Sequence, residues 1–216
     1  MFSFVDLLPS LLKGAAITLQ VTMLSLLLAA VLSFLAGFAR LSANKHIRLA
    51  SAFYVEVFRG TSLLVQLFWF YYALPLLGIE LSALVAGVVA LGLNFGAYGS
   101  EVVRSAMLAV PKGQTEAAIA LNMGRWLRMR RVILPQAVLI MLPSFGNLMI
   151  ELLKSTSLIS LITMADLTFQ GMLLRTFDAS RTFEIFLLIL VMYFLMAYPL
   201  TLVMRWLERR MSAGRV

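Results

Sequence analysis

Residues 110–137, VPKGQTEAAIALNMGRWLRMRRVILPQA, form a polar, basic stretch between two long apolar runs, and their reading decides the fold. Pro111 and Gly113 are expected to end the preceding helix. Thr115 and Glu116 then begin a short new one, with the acidic residue favourable at its positive end. Ala117, Ala118, Ala120 and Leu121 make about a turn and a half of helix. Asn122 and Gly124 both tolerate the left-handed conformation that stops a helix, so a second short helix is expected through Trp126 and Met129. Pro135 closes the stretch as the next apolar run begins. The segment has no nucleophile, no carboxylate pair and no metal-ligand cluster. It reads as a docking surface.

The rest of the chain says where that surface sits. Of 216 residues, 62% are hydrophobic and 13% charged, more apolar surface than a soluble core could hide. The chain is an integral membrane protein in contact with lipid. Its net charge of +8 lies in loops between apolar runs rather than on one face with interleaved aromatics, which argues against a nucleic-acid partner. Absence of cysteine removes disulfides and thiolate chemistry, and the single His46 lies in a basic loop without a partner ligand. No metal site is expected.

Glu116, Ala117 and Ala118, with the later Leu134 and Pro135, resemble the EAA loop of ABC-importer permease subunits. Asn122 stands where that family usually has glycine, a mild departure because Asn best replaces Gly in the left-handed region. FRGTSLLVQLF at 58–68 and KSTSL at 154–158 narrow the resemblance to the polar amino-acid permeases over nearly the whole chain. EAAIALNM and MADLTFQGMLLR are similar to strings of the ectoine and hydroxyectoine permeases, which handle compatible solutes.

The resemblance implies an all-α, type I importer permease fold, with Glu116, Ala117, Ala118, Asn122, Gly124, Leu134 and Pro135 in a cytoplasmic coupling segment at 111–131. It also implies cytoplasmic ATPase subunits, a second permease subunit, identical or different, and an extracytoplasmic substrate-binding protein. ATP and Mg would be held by the ATPase, and no cofactor by this chain, which has no G-x-x-x-x-G-K-[ST] loop and is not expected to be an enzyme.

Charge-free runs place five spans, at about 14–39, 60–79, 81–105, 132–154 and 185–204, in one domain, 1–216. The loop with Arg40, Lys45 and Arg48 lacks acidic residues and is assigned to the cytoplasm, putting the N-terminus outside. Arg205, Arg209, Arg210 and Arg215 put the C-terminus inside. Gly78 marks a short external turn. Residues 155–181 contain apolar pieces too short to cross, and read as an external re-entrant or interfacial cap.

Polar residues recur at helical spacing inside these runs. Thr18, Thr22 and Ser25 read as a packing face. Asn94, Tyr98, Glu101 and Ser105 share one face of span three, and Ser144, Asn147, Glu151 and Ser155 one face of span four, with Lys154 beside Glu151. Either stripe is a candidate pathway lining, where Glu151 and Lys154 offer a zwitterion both charges and Glu101 and Glu151 could share a cavity. Gln66, Thr156 and Ser157, in the two quoted strings, join these candidates. The competing reading is local pairing: Glu101 with Arg104, Glu151 with Lys154, and Glu56 with Arg59. An ion- or proton-coupled carrier would use Glu101 or Glu151 as its titrating group. An intramembrane hydrolase finds no base, since Ser100 has no histidine within a span.

Overall fold

A computed structural model describes residues 4–212, which are helical and contain no strand; Arg215 lies outside the described residues. The helices are α1 (Phe4–Arg40), α2 (Lys45–Gly60), α3 (Leu63–Phe68), α4 (Ala83–Ala109), α5 (Lys112–Ala120), α6 (Arg125–Arg128), α7 (Leu134–Ser155), α8 (Leu167–Phe177) and α9 (Thr182–Ser212). Four unbroken stretches are long and apolar enough to cross a membrane, and the bent pair α2–α3 supplies a fifth.

The bundle is organised on α1 against α4. Thr18, Thr22, Ser25 and Ser33 of α1 are buried, so the hydroxyl face packs as the sequence suggested. Lipid offers helices no hydrophobic reason to associate, so close backbone approach between small residues has to supply the attraction. Gly99 shows how close: a Cβ there would stand 2.0 Å from Ser33 Oγ. Beside this seam lies a core of Val21, Leu67, Leu91, Phe95, Leu152 and Ile159 drawn from several spans.

Span two differs from the straight run expected at 60–79. Helix already begins at Lys45, where Asn44 caps α2 by accepting from the His46 amide at 2.9 Å. It stops at Gly60, and Thr61 and Ser62 are extended. The chain then resumes as α3, a π-turn (Trp69–Ala73) and a 3-10 turn (Leu74–Leu77), bent by 102° from α2. Charge counting alone could not find this break, because a Gly-Thr-Ser corner carries no charge.

Span four also begins earlier than expected. α6, a π-turn at Met129–Ile133, α7 and a 3-10 turn at Thr156–Ile162 form one stretch, Arg125–Ile162. Pro135 therefore sits in the first turn of α7, directly after the π-turn and inside one continuing stretch. The segment expected to be external folds as the 3-10 turn, a loop and α8. Asp166 caps α8, accepting from the amides of Thr168 and Phe169 at 3.2 and 2.9 Å. Leu167 N–H donates to Thr18 Oγ1 at 3.1 Å, pinning the start of α8 to α1.

Candidate functional site

The protruding segment is built from both its ends. Helix α4 stops at Ala109, Val110 is extended, and Pro111 precedes α5. α5 starts at Lys112, so Gly113, Thr115 and Glu116 lie within the helix rather than at its boundary, a correction to the expected start. The sequence logic missed this because proline at the helix entrance needs no N–H partner.

The end of α5 matches the expectation for one residue and departs for another. Asn122 is left-handed at φ 55°. Its amide donates to the Ile119 carbonyl at 2.8 Å and the Met123 amide to that of Ala118 at 3.0 Å, satisfying carbonyls that the helix end leaves free. Gly124 instead has φ −61° and ψ 157° and starts α6, with the Arg128 amide donating to its carbonyl at 3.0 Å. One left-handed residue suffices for the turn.

This hairpin has two unlike faces. Ala118 is buried, and Met129, Ile133 and Leu134 pack on a core of Val103, Ala106, Met107, Ala137 and Met141 at one end of α4 and α7. Gln136 Nε2 donates to Gln114 Oε1 at 3.3 Å, tying α7 to α5. On the other side Ile119, Leu121 and Trp126 are 56%, 76% and 75% exposed, and Glu116 and Ala117 are exposed beside them. The hairpin thus has a back packed on α4 and α7 and an apolar front left exposed.

The polar residues of the spans divide into three groups. Gln66 and Asn94 are buried and serve the break in span two. Gln66 Nε2 donates to the carbonyls of Phe58 and Thr61 at 2.9 and 3.3 Å, and Asn94 Nδ2 donates to Phe58 O at 2.8 Å. Carbonyls freed by a broken helix inside a membrane have no water to turn to, so these amides have a structural task. Thr156 is likewise buried, donating to the Leu153 carbonyl at 2.6 Å.

Glu101 forms the second group. Its Oε1 accepts from Arg104 Nε at 3.0 Å, its Oε2 accepts from Arg40, and Arg59 stands 4.0 Å from Oε2. The local pair with Arg104 exists, but Arg40 and Arg59 were missed. On the sequence alone Arg40 belongs to the basic loop and Arg59 pairs with Glu56, so neither is directed to Glu101. No Glu56–Arg59 ion pair occurs among the described residues; Arg59 turns to Glu101 and to the half-exposed ring of Tyr98.

The third group is on α7. Ser144, Asn147, Glu151 and Lys154 are exposed, Ser155 and Ser157 half-exposed, and no ion pair joins Glu151 to Lys154 among the described residues. Lys154 lines a groove of about 550 Å³ with Tyr193, Tyr198, Thr201 and Arg205. α4 meets α7 where Gly99 abuts Phe145, which puts Glu101 next to that contact and Glu151 nearly two turns beyond it. No group of described residues could hold a metal ion.

Known proteins agree with this architecture. Residues 29–213 match the family model described as binding-protein-dependent transport system inner membrane component. A probable amino-acid ABC transporter permease protein of Sinorhizobium fredii is 48% identical over 97% of this chain and 90% of its own. The glutamine transport system permease protein of Escherichia coli is 38% identical over 94% of each, and the L-cystine transport system permease protein of Bacillus subtilis 36% identical over 94% and 87%. The crystal structure of an amino acid ABC transporter with histidines superimposes with a TM-score of 0.89 at 36% identity, covering 97% of this chain and 99% of that one. With the type I ABC-importer permease fold and spans of this kind, the chain belongs to the binding-protein-dependent transport system inner membrane components, and it is a permease subunit rather than an enzyme.

Proposed function

We propose that this chain is the membrane subunit of an ATP-driven importer of polar amino acids or related zwitterions, coupled to a separate ATPase through residues 111–131. The observation that carries the coupling role is the two-faced hairpin, exposing Leu121 and Trp126 in front while its back is packed on α4 and α7. ATP and Mg would be bound by the partner ATPase, whose closure moves the hairpin. The N-terminus is outside and the hairpin cytoplasmic, as the basic loops require.

A second permease subunit, identical or different, completes the path, and an external binding protein delivers the substrate. Exposed polar residues on α7, Asn147, Glu151 and Lys154, support the dimer, because such a stripe is expensive against lipid and inexpensive against a shared aqueous cavity. The substrate class rests on the names of the relatives, which are amino-acid, glutamine and L-cystine permeases. Ectoine or hydroxyectoine is the narrower proposal, resting on the EAAIALNM and MADLTFQGMLLR strings alone. A gradient-driven carrier would have to titrate Glu151, because Glu101 is engaged by arginines on both oxygens.

The test is ATP hydrolysis by the reconstituted permease, ATPase and binding protein with ectoine, arginine, glutamine and histidine added in turn. Stimulation by one compound is expected. Glu116→Arg should abolish ATPase docking while the permease still inserts, and unchanged transport in that variant removes the coupling role.

A further inference from the structure

Of the three guanidiniums around Glu101, Arg59 is the one without a hydrogen bond to the carboxylate. It lies in the last turn of α2, immediately before the break in span two. Around Glu101 three guanidiniums face one carboxylate, leaving two positive charges in excess. Arg40 and Arg104 already occupy the two carboxylate oxygens. Arg59 is at 4.0 Å, beyond hydrogen-bond range, and instead lies over the Tyr98 ring at 5.1 Å from its centroid. Its side chain is 40% exposed, and no described residue accepts a hydrogen bond from it.

Such a group is costly within a membrane-spanning element unless it meets water or an anion. A planar guanidinium, standing over an aromatic ring with no hydrogen-bond acceptor among the described residues, can pair with a carboxylate through two parallel hydrogen bonds. We propose that Arg59 binds the α-carboxylate of the transported amino acid, with Tyr98 holding the guanidinium in place. This deepens the amino-acid importer reading and rests on it. The carboxylate is the feature that amino acids with different side chains share, so one arginine serves any of them. Arg40 and Arg104 keep Glu101 in place and do not touch the ligand.

The test is equilibrium binding to the nucleotide-free permease–ATPase complex in nanodiscs, without the binding protein, whose own selectivity would mask the site. The probes are L-glutamine, L-arginine and L-histidine, each beside its decarboxylated amine: 4-aminobutanamide, agmatine and histamine. The amino acid that the wild type imports should bind, and its amine at least roughly tenfold more weakly. Arg59→Gln should lose about tenfold in affinity for the amino acid and bind the amine as before, while Arg59→Lys falls between. Equal melting temperatures of the variants keep folding out of the comparison.

Unchanged amino-acid binding in Arg59→Gln, or equal loss for acid and amine, overturns the assignment and leaves the importer reading standing. So does an effect that follows the phosphatidylglycerol content of the nanodisc, which would make the bound anion a lipid headgroup. A wild-type complex that imports no amino acid overturns the importer reading, and the Arg59 assignment with it.

Discussion

Asn94 Nδ2 donates to Gln66 Oε1 at 3.1 Å, joining α4 to α3 at the corner where span two breaks. The two amides also share the Phe58 carbonyl as an acceptor, so they work as one unit. Replacing either with leucine leaves a buried polar group without its partner, at a cost of about 2 kcal/mol. Because they share partners, Gln66→Leu and Asn94→Leu together should lose distinctly less than the sum of the two single losses. Thermal unfolding of the four proteins in detergent measures this, and strictly additive losses would show that the corner is not held by the pair.

The turn at Asn122 allows a cleaner separation of stability from coupling. At φ 55° asparagine is tolerated and glycine more so, whereas a β-branched residue is driven out of the left-handed region. Asn122→Gly should therefore change stability by less than about 0.5 kcal/mol and leave substrate-stimulated ATP hydrolysis intact. Asn122→Val should cost about 1–2 kcal/mol locally and reduce the stimulation, because α6 is then aimed differently. Full stimulation in Asn122→Val would mean that the left-handed turn is dispensable.

Much of this hairpin was legible in the sequence, and the reason is local. Asn122 and Pro111 act through their own backbone preferences, so their effect can be read within a few residues. Gly124 could not be read so well, because glycine fits an extended helix start as easily as a left-handed stop. The polar candidates in the spans were harder. Asn94 and Glu101 fall on a face that helical spacing shows, and Gln66 lies in a quoted string, but which partner meets each is decided by the break at Thr61 and the meeting of α1 with α4. Arg40 and Arg59 were hidden for the same reason: a basic residue beside an apolar run satisfies the topology rule whether or not it reaches back to a carboxylate.

Asp166 gives a pH dependence that can be predicted with its sign. It lies outside the spanning segments, fully buried at the start of α8. Burial pushes its carboxyl up from 3.8 to about 6, against the opposing pull of the Phe169 and Thr168 amides. The folded protein therefore holds a proton on Asp166 that the unfolded chain has released between those two values. Stability contributed by this group is greatest in acid and falls as pH rises toward about 6, by at most about 1.4 kcal/mol per pH unit. Asp166→Asn keeps a capping acceptor and removes the charge, so its melting temperature should fall less than that of the wild type between pH 4 and pH 6. Parallel pH profiles for the two proteins would exclude Asp166 as the source.

Thr163 carries the least favourable backbone of residues 155–181. It is left-handed at φ 64° and ψ 14°, a conformation that its branched side chain opposes at a cost of about 1–2 kcal/mol. The loop is nevertheless held: Tyr71 Oη lies 3.0 Å from Thr163 Oγ1 in a hydrogen bond, and Tyr72 O–H donates to the Leu161 carbonyl at 3.3 Å. These two bonds, formed despite the strain, tie the π-turn of the bent span to the loop before α8. Thr163→Asn relieves the backbone and keeps a polar group for Tyr71, so it should raise stability by about 1 kcal/mol. Thr163→Val keeps the strain and removes the hydrogen bond, so it should lower stability by about 1 kcal/mol. Thermal unfolding of the two variants decides the matter: if Thr163→Asn melts below the wild type, the threonine hydroxyl contributes more than its backbone costs. In that case Tyr71→Phe should be as destabilising as Thr163→Val, since either change removes the same hydrogen bond.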